Sequence, residues 1–76
     1  QERARETAMR NLRRVRGIDR AAFAAQTGYR LDDLLGATLP RLVSQGLLAD
    51  AGPAVALTPA GRLLADEVMG QVLVPT

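Results

Sequence analysis

The chain has 76 residues and a net charge of +2, and all ten of its basic residues are arginine. A chain this short forms one small domain that buries only about 60% of its unfolded surface, so its core is thin. It contains no cysteine and no histidine, which excludes disulfides and the thiolate and imidazole ligands of most transition-metal sites. The pI of about 10.4 reflects the high pKa of arginine and is not by itself evidence for nucleic-acid binding.

The sequence predicts neither a membrane span nor a secretory leader. No apolar run approaches the roughly 20 residues that a membrane-spanning helix needs. The first residues are charged, and no apolar stretch of a signal peptide follows them. We therefore expect a cytoplasmic location.

The first predicted helix runs from Glu2 to Val15 and ends before Gly17. One face carries arginines, while the opposite face is apolar because its small and aliphatic residues recur at helical spacing. The apolar stripe consists of Ala4, Ala8, Leu12 and Val15, and the arginine face of Arg3, Arg10, Arg13 and Arg14.

A second helix is predicted from Arg20 to Thr27. Asp19 precedes it as an N-cap, and Gly28 follows it as the glycine that often ends a helix in a left-handed conformation. Phe23 is its expected core residue.

A third helical region spans residues 31–45, with Leu31, Leu34, Leu35, Leu39, Leu42 and Val43 at helical spacing. Gly36 and Pro40 interrupt it, and an interior proline costs about 3 kcal/mol. The region is therefore either one helix with a sharp kink or a short turn at residues 31–35 followed by a helix capped near Ala37 and Thr38.

A small β-hairpin is predicted next. Gly46 fits the position after a helix C-terminus, and residues 47–49 and 54–57 are short strands joined by a turn at residues 50–53. Thr58 and Pro59 then begin a fourth helix, because threonine caps a helix start and proline fits its first position.

The fourth helix is predicted to run from Pro59 to about Val72. Its inner stripe is expected to contain Leu63, Leu64, Val68 and Val72, with Met69 and Leu73 alongside, followed by a frayed tail at Val74, Pro75 and Thr76. The predicted fold is mostly α with a small β-hairpin. Its order (helix, helix, helix, strand, strand, helix) is typical of a winged-helix-like domain, and residues 1–76 form a single such domain.

The arginine face of the first helix has three interpretations. It is a solvated helix face, a surface that contacts another domain, or a phosphate-binding surface. A DNA-reading winged helix places basic residues on its second motif helix and on its wing. Here that helix region starts with Asp32 and Asp33, only Arg30 and Arg41 are basic, and residues 50–54 carry no cation. Nucleic-acid binding is therefore disfavoured.

The sequence shows no catalytic or metal site. Adjacent carboxylates, as in Asp32–Asp33 and Asp66–Glu67, diverge by about 100° on a helix and do not converge on one atom. Met9, Met69 and Tyr29 are haem ligands only in principle, since methionine on an apolar stripe usually fills a core. No nucleophile–base pair or phosphate loop is present, so we expect no catalysis by this segment alone and assign it no catalytic, cofactor or metal residue.

A longer pattern runs along the chain from Glu6 to Leu73. Its elements are Glu6-Thr7-Ala8-Met9, Leu12-Arg13, Gly17-Ile18-Asp19, Phe23, Gly46-Leu47-Leu48, Leu57-Thr58-Pro59-Ala60-Gly61, Asp66 and Val68. This pattern resembles the C-terminal domain of the oxygen-independent coproporphyrinogen III oxidase family, radical S-adenosylmethionine proteins that include related haem chaperones.

The resemblance implies that the chain is a C-terminal fragment of a longer protein. In that family an N-terminal catalytic barrel holds a [4Fe–4S] cluster through a three-cysteine motif and binds S-adenosylmethionine, and none of those residues occurs here. The implied function is that of a non-catalytic accessory domain that packs on the barrel, in a parent that acts on porphyrinogen or haem. The alternative is a free-standing winged-helix DNA-binding regulator, and a third possibility is a protein–protein adaptor that uses the same fold.

Overall fold

The structure is a computed structural model that describes residues 2–74. Within those residues it is mostly helical, with short helices around a small antiparallel sheet. In chain order the elements are α1 (Glu2–Leu12), β1 (Ile18–Asp19), α2 (Arg20–Thr27), α3 (Leu31–Leu35), α4 (Thr38–Ser44), β2 (Leu48–Asp50), β3 (Ala54–Leu57), α5 (Pro59–Leu63) and α6 (Ala65–Leu73). Pro75 and Thr76 of the predicted tail lie outside the described residues.

The sheet has three strands in the order β1-β3-β2, so the prediction of a two-stranded hairpin is incomplete. β3 pairs antiparallel with both neighbours, placing Val55 opposite Ile18 and Leu57 opposite Leu48. β1 has only two residues, too few for an alternating pattern to reveal it. Asp50, expected in the turn, is the last residue of β2.

One apolar cluster fills the space between the helices and one face of the sheet. The predicted core residues of the second and third helical regions belong to it, except Val43, which is only partly buried and packs against it. Their helical spacing places them on one face. The cluster contains Ala4, Ala8, Leu12, Ile18, Phe23, Leu31, Leu34, Leu35, Leu39, Leu42, Leu47, Leu48, Val55, Leu57, Val68, Met69 and Val72.

Helix α1 ends earlier than predicted, at Leu12 instead of Val15. The next residues form tight turns in which the amide of Arg14 donates to the carbonyl of Asn11 (3.1 Å) and that of Gly17 to Arg14 (3.0 Å). These bonds span three residues instead of four and change the rotation per residue. Val15 is consequently 80% exposed and does not belong to the buried stripe.

Of the two alternatives for residues 31–45, the structure shows two separate helices, α3 and α4. Gly36 ends α3 with a positive φ of 53°, and Ala37 is the N-cap of α4. Pro40 then lies in the first turn of α4, where the amide that proline lacks would have no helical partner. The chain thereby avoids the cost of an interior proline.

The predicted fourth helix is also divided, at Leu64, into α5 and α6. Gly61 is buried and faces inward against the carbonyl oxygen of Leu47. Leu63 follows two residues later, about 200° around the helix, and is 87% exposed, while Leu64 is 47% exposed. The prediction that both leucines form the inner stripe is therefore wrong, whereas Val68, Met69 and Val72 are buried as expected.

The local signals at the helix ends are confirmed. Asp19 caps α2 by accepting a hydrogen bond from the amide of Ala22 (2.9 Å), and Gly28 ends it with a φ of 78°. Thr58 caps α5 by accepting from the amide of Gly61 (3.0 Å). Gly46 follows α4 with a φ of 77°, and this left-handed residue turns the chain into β2.

Candidate functional site

Two segments that carry the family resemblance meet in space. The amide of Thr58 donates to the carbonyl of Leu47 (3.1 Å), and its hydroxyl donates to the carbonyl of Gly46 (2.5 Å). Gly61 lies close to Leu47, so that a Cβ there would overlap the Leu47 carbonyl. The Gly-Leu-Leu and Leu-Thr-Pro-Ala-Gly motifs therefore join the end of α4 to the start of α5, which is a structural role.

The arginine face of α1 lies at the surface, opposite the buried stripe, as predicted. Arg3 and Arg10 are exposed on α1 itself, and the predicted members Arg13 and Arg14 are exposed in the turns that follow it, as is Arg16. Its interpretation as a solvated, interdomain or phosphate-binding face stays a prediction.

Arg5 is the polar residue that the sequence analysis missed, and it is only 5% exposed. Its guanidinium donates to the carbonyl of Leu34 (2.8 Å), near the end of α3, and to the carbonyls of Val72 (3.1 Å) and Val74 (3.4 Å), at the end of α6. A cation at a helix C-terminus is stabilised by the helix dipole and satisfies carbonyls that lack helical partners. Arg5 thus holds the ends of two helices against α1.

A cluster of ion pairs that was not predicted from the sequence joins three separate elements. Arg20, at the start of α2, donates from Nε to Asp32 (2.9 Å) in α3 and from Nη1 to Asp50 (2.7 Å) at the end of β2. Its Nη2 atom contacts both carboxylates, at 3.0 and 2.9 Å. Asp32 is therefore an ion-pair partner and not simply a favourable charge at the start of α3.

The ion pairs perturb the ionisation of all three groups. Hydrogen bonds from Arg20, reinforced by the amide of Gly52, lower the pKa of Asp50 from 3.8 to about 2. The Arg20 hydrogen bond also lowers the pKa of Asp32. In return the two carboxylates, Asp50 foremost, raise the pKa of Arg20. Because the side chains are partly exposed, solvent screens the pairs and the stabilisation is below about 1 kcal/mol.

Replacing Arg20 by glutamine is expected to remove a pH-dependent part of the stability. A carboxylate whose folded pKa is depressed stabilises the protein above its unfolded pKa and loses that contribution as pH falls through the folded value. The free energy of unfolding of the unchanged chain should therefore exceed that of Arg20→Gln near neutral pH, with the difference disappearing between about pH 4 and pH 2. Urea titrations at several pH values measure it, and a difference independent of pH would contradict the assignment.

The residues expected to contact DNA in a winged-helix reader offer little positive charge. Arg30 and Arg41 are exposed, but Arg41 donates to Gln71 (3.2 Å) and faces α6. The turn between β2 and β3 is shaped by Asp50, whose carboxylate accepts from the amide of Gly52 (2.9 Å). This geometry agrees with the sequence in disfavouring phosphate contacts here.

The remaining candidates for chemistry are spread over the surface or fill the core. Within residues 2–74, no three His, Cys, Asp or Glu side chains gather in a way that would hold a metal ion. Met69 is 3% exposed and belongs to the core, Met9 packs against that core, and Tyr29 is 39% exposed. Over the same residues, no helix is both long and apolar enough to cross a bilayer.

The fold and its polar contacts define a small, mostly helical domain in which the buried Arg5 and the ion pairs of Arg20 connect structural elements. Comparisons with known proteins agree with the family resemblance of the motifs. The family described as "HemN C-terminal domain" matches residues 1–64, and the chain belongs to that family.

One relative is the "Heme chaperone HemW" of Bacillus subtilis (strain 168), which is 36% identical over 73 residues. The aligned region covers 96% of this chain and 19% of the relative, so the chain spans about a fifth of that protein's length. No solved structure matches the chain. The resemblance predicted from the motifs is therefore confirmed.

Proposed function

We propose that the chain is a non-catalytic, winged-helix-like domain at the C-terminus of an oxygen-independent coproporphyrinogen III oxidase-like radical S-adenosylmethionine protein. In this proposal it packs on the catalytic barrel of the same polypeptide, in a cytoplasmic parent that either oxidises porphyrinogen or delivers haem. The observation that carries the proposal is the match to a C-terminal family over most of the chain together with its small share of a full-length haem chaperone.

The sheet order supports the winged-helix part of the proposal. β1 precedes the helices α2 to α4, and the β2–β3 ribbon follows them and returns to pair with β1. In such an arrangement the ribbon is the wing and α4 is the second helix of the motif. The wing carries Asp50 in place of the basic residues of a DNA reader, which favours a protein-facing role.

The cofactors that the family implies do not fit this segment. A [4Fe–4S] cluster needs cysteine thiolates, and the chain contains none. We place the cluster and S-adenosylmethionine in the barrel, where they supply the radical chemistry of the parent. The residues of this segment contribute packing and positioning only.

Removing this segment from the intact polypeptide tests the proposal. Iron and sulfide per polypeptide should stay unchanged, because the cluster ligands lie elsewhere, while haem transfer or porphyrinogen turnover should fall by roughly tenfold or more as positioning is lost. Iron analysis and an activity assay on both forms measure the two effects. Loss of the cluster from the shortened protein, or full activity without the segment, would contradict an accessory role. An upstream coding sequence without the three-cysteine motif would contradict it as well.

The alternative, a free-standing DNA-binding regulator, is not favoured by these observations. We expect the chain to leave random duplex DNA unshifted in a gel at low salt, since phosphate contacts supply most non-specific affinity and should be few here. A retarded band that weakens as salt rises would favour the alternative.

A further inference from the structure

The outer face of α5 and α6 contains an exposed helical surface that the fold leaves uncovered. Along α6 its residues follow the spacing of one helix face, and the buried residues Val68, Met69 and Val72 lie on the other side of that helix. The outer face consists of Leu63 at the end of α5, Leu64 at the break, Asp66, Glu67, Gly70 and Leu73 on α6, and Val74 just after it, all of them exposed.

Large apolar side chains lie at both ends of the outer face. Leu63 is 87% exposed and Leu64 is 47% exposed at one end, and Leu73 (40%) and Val74 (61%) lie at the other. These are two pairs of sequence neighbours, and neighbouring exposed apolar groups mark contact sites more often than isolated ones do. Beside the face, a groove of about 530 Å³ separates α6 from α4, with Gly70 and Arg41 among its lining residues.

Gly70 lies in the middle of the outer face, and nothing within residues 2–74 explains a glycine at this position. Glycine in the interior of a helix is destabilising. At Gly61 the close approach of the Leu47 carbonyl explains why the position requires a glycine. A Cβ at Gly70 would instead meet nothing within 4 Å. A glycine facing open space on a helix allows the backbone of another element to approach closely.

The position of the N-terminus indicates which partner covers this face. Arg5, near the start of α1, donates to the carbonyls of Val72 and Val74, so the beginning of α1 lies beside the apolar end of the outer face. In a protein of which this chain is the C-terminal domain, the preceding domain enters at α1. It is therefore tethered next to Leu73 and Val74.

We propose that the outer face of α5 and α6, with Gly70 at its centre, is the surface on which the preceding catalytic domain of the same polypeptide docks. This inference rests on the proposed function and adds the face that makes the contact. The partner surface is expected to be apolar opposite the two ends of the outer face, with basic residues between them opposite Asp66 and Glu67. A second copy of the chain or an unrelated protein on this face is an outcome that the test distinguishes.

Hydrogen exchange on the intact polypeptide, compared with the 76-residue chain alone, tests this inference. Docking should slow exchange in residues 65–73 by about tenfold or more, because it suppresses local opening of α6. Gly70→Arg in the intact polypeptide should abolish that protection, since the long side chain blocks close approach. Val15→Asp, at an exposed apolar residue in the turns that follow α1, is the matched control and should retain it.

The fold of the variants is checked in the 76-residue chain. Gly70→Arg should melt no lower than the unchanged chain, because arginine favours a helix and the site is open. If it does melt lower, Leu63→Asp at an 87% exposed position replaces it in the exchange experiment.

The possible outcomes separate this inference from the function on which it rests. If docking instead protects another surface, such as residues 13–16, and this protection survives Gly70→Arg, the assignment of the docking face is wrong. The proposed function as an accessory domain would then still hold. Equal exchange throughout the chain in both forms would overturn docking itself. Protection of α6 in the 76-residue chain that increases with its concentration would identify a second copy as the occupant.

Discussion

Replacing Arg5 by alanine is expected to lower the free energy of unfolding by about 3 kcal/mol, since hydrogen bonds to a charged group contribute roughly 1.5–3 kcal/mol each and solvent recovers part of the loss. The guanidinium is buried and donates to the carbonyls of Leu34 and Val72, at the ends of two helices. Its removal leaves those carbonyls unpaired in the core. For a domain of this size the loss is a large share of the total stability, and urea unfolding followed by circular dichroism measures it.

Two further variants separate the contribution of the guanidinium from that of its volume. Arg5→Met fills much of the same space but donates no hydrogen bond, so it should recover only part of the loss. Arg13→Ala, at an exposed arginine just after α1, should change stability by less than about 0.5 kcal/mol. Equal stability of Arg5→Met and the unchanged chain would show that packing alone matters at this position.

The features predictable from the sequence are those whose causes are local. Asp19, Gly28 and Thr58 cap helices through contacts with residues up to four positions away along the chain. Such signals depend on the backbone of the same segment and survive without knowledge of the tertiary structure. The buried leucines of residues 31–42 follow for a related reason, because a helix fixes the direction of every side chain once its period is known.

The predictions from the sequence are wrong where the backbone departs from a regular helical period. Val15 and Leu63 were counted along continuous helices, but the turns after Leu12 and the break at Leu64 change the direction of the chain. Gly36 and Pro40 indicate the interruption between α3 and α4. The residues at the end of α1 and at the break between α5 and α6 give no comparable signal. Strand β1 is likewise specified by its pairing with β3 and not by its own two residues.

The hydrogen bonds of Arg5 and the ion pairs of Arg20 depend on contacts between distant parts of the chain. Arg20 meets carboxylates 12 and 30 residues away, and the carbonyl of Val72 lies 67 residues from Arg5. For Arg5 a signal was nevertheless present. It lies three residues before Ala8 and seven before Leu12, on the buried stripe of α1, and a polar residue on an apolar stripe indicates an internal partner.

The sequence was more informative about ancestry than about chemistry. The motifs that identify the family are the residues that join elements of the fold: Gly17-Ile18-Asp19 begins the sheet and caps α2, and the Thr58 segment binds the end of α4. A motif made of structural residues specifies an architecture precise enough to identify relatives. It leaves the function to the surfaces that such an architecture presents, which is why the outer face of α5 and α6 was not found from sequence.

Replacing Gly17 by alanine is expected to lower the free energy of unfolding by about 3 kcal/mol. Part of the loss comes from forcing alanine into a left-handed conformation, and part comes from overpacking. Gly17 has a φ of 73°, which L-residues adopt at a cost, and its α-carbon faces the central strand β3. A Cβ there would overlap the carbonyl oxygen of Val55 and lie 2.7 Å from the Cα of Ala56. Because both are backbone contacts, relief requires β1 and β3 to move apart.

Gly46 provides the matched control, because it has nearly the same φ of 77° and no atom within 4 Å of a Cβ. Gly46→Ala should therefore cost only about 1 kcal/mol, the conformational part of the effect. The difference between the two variants in urea unfolding isolates the overlap with β3. If Gly17→Ala loses no more than Gly46→Ala, the sheet can accommodate the methyl group, and the pairing of β1 with β3 is looser than the close approach at Gly17 implies.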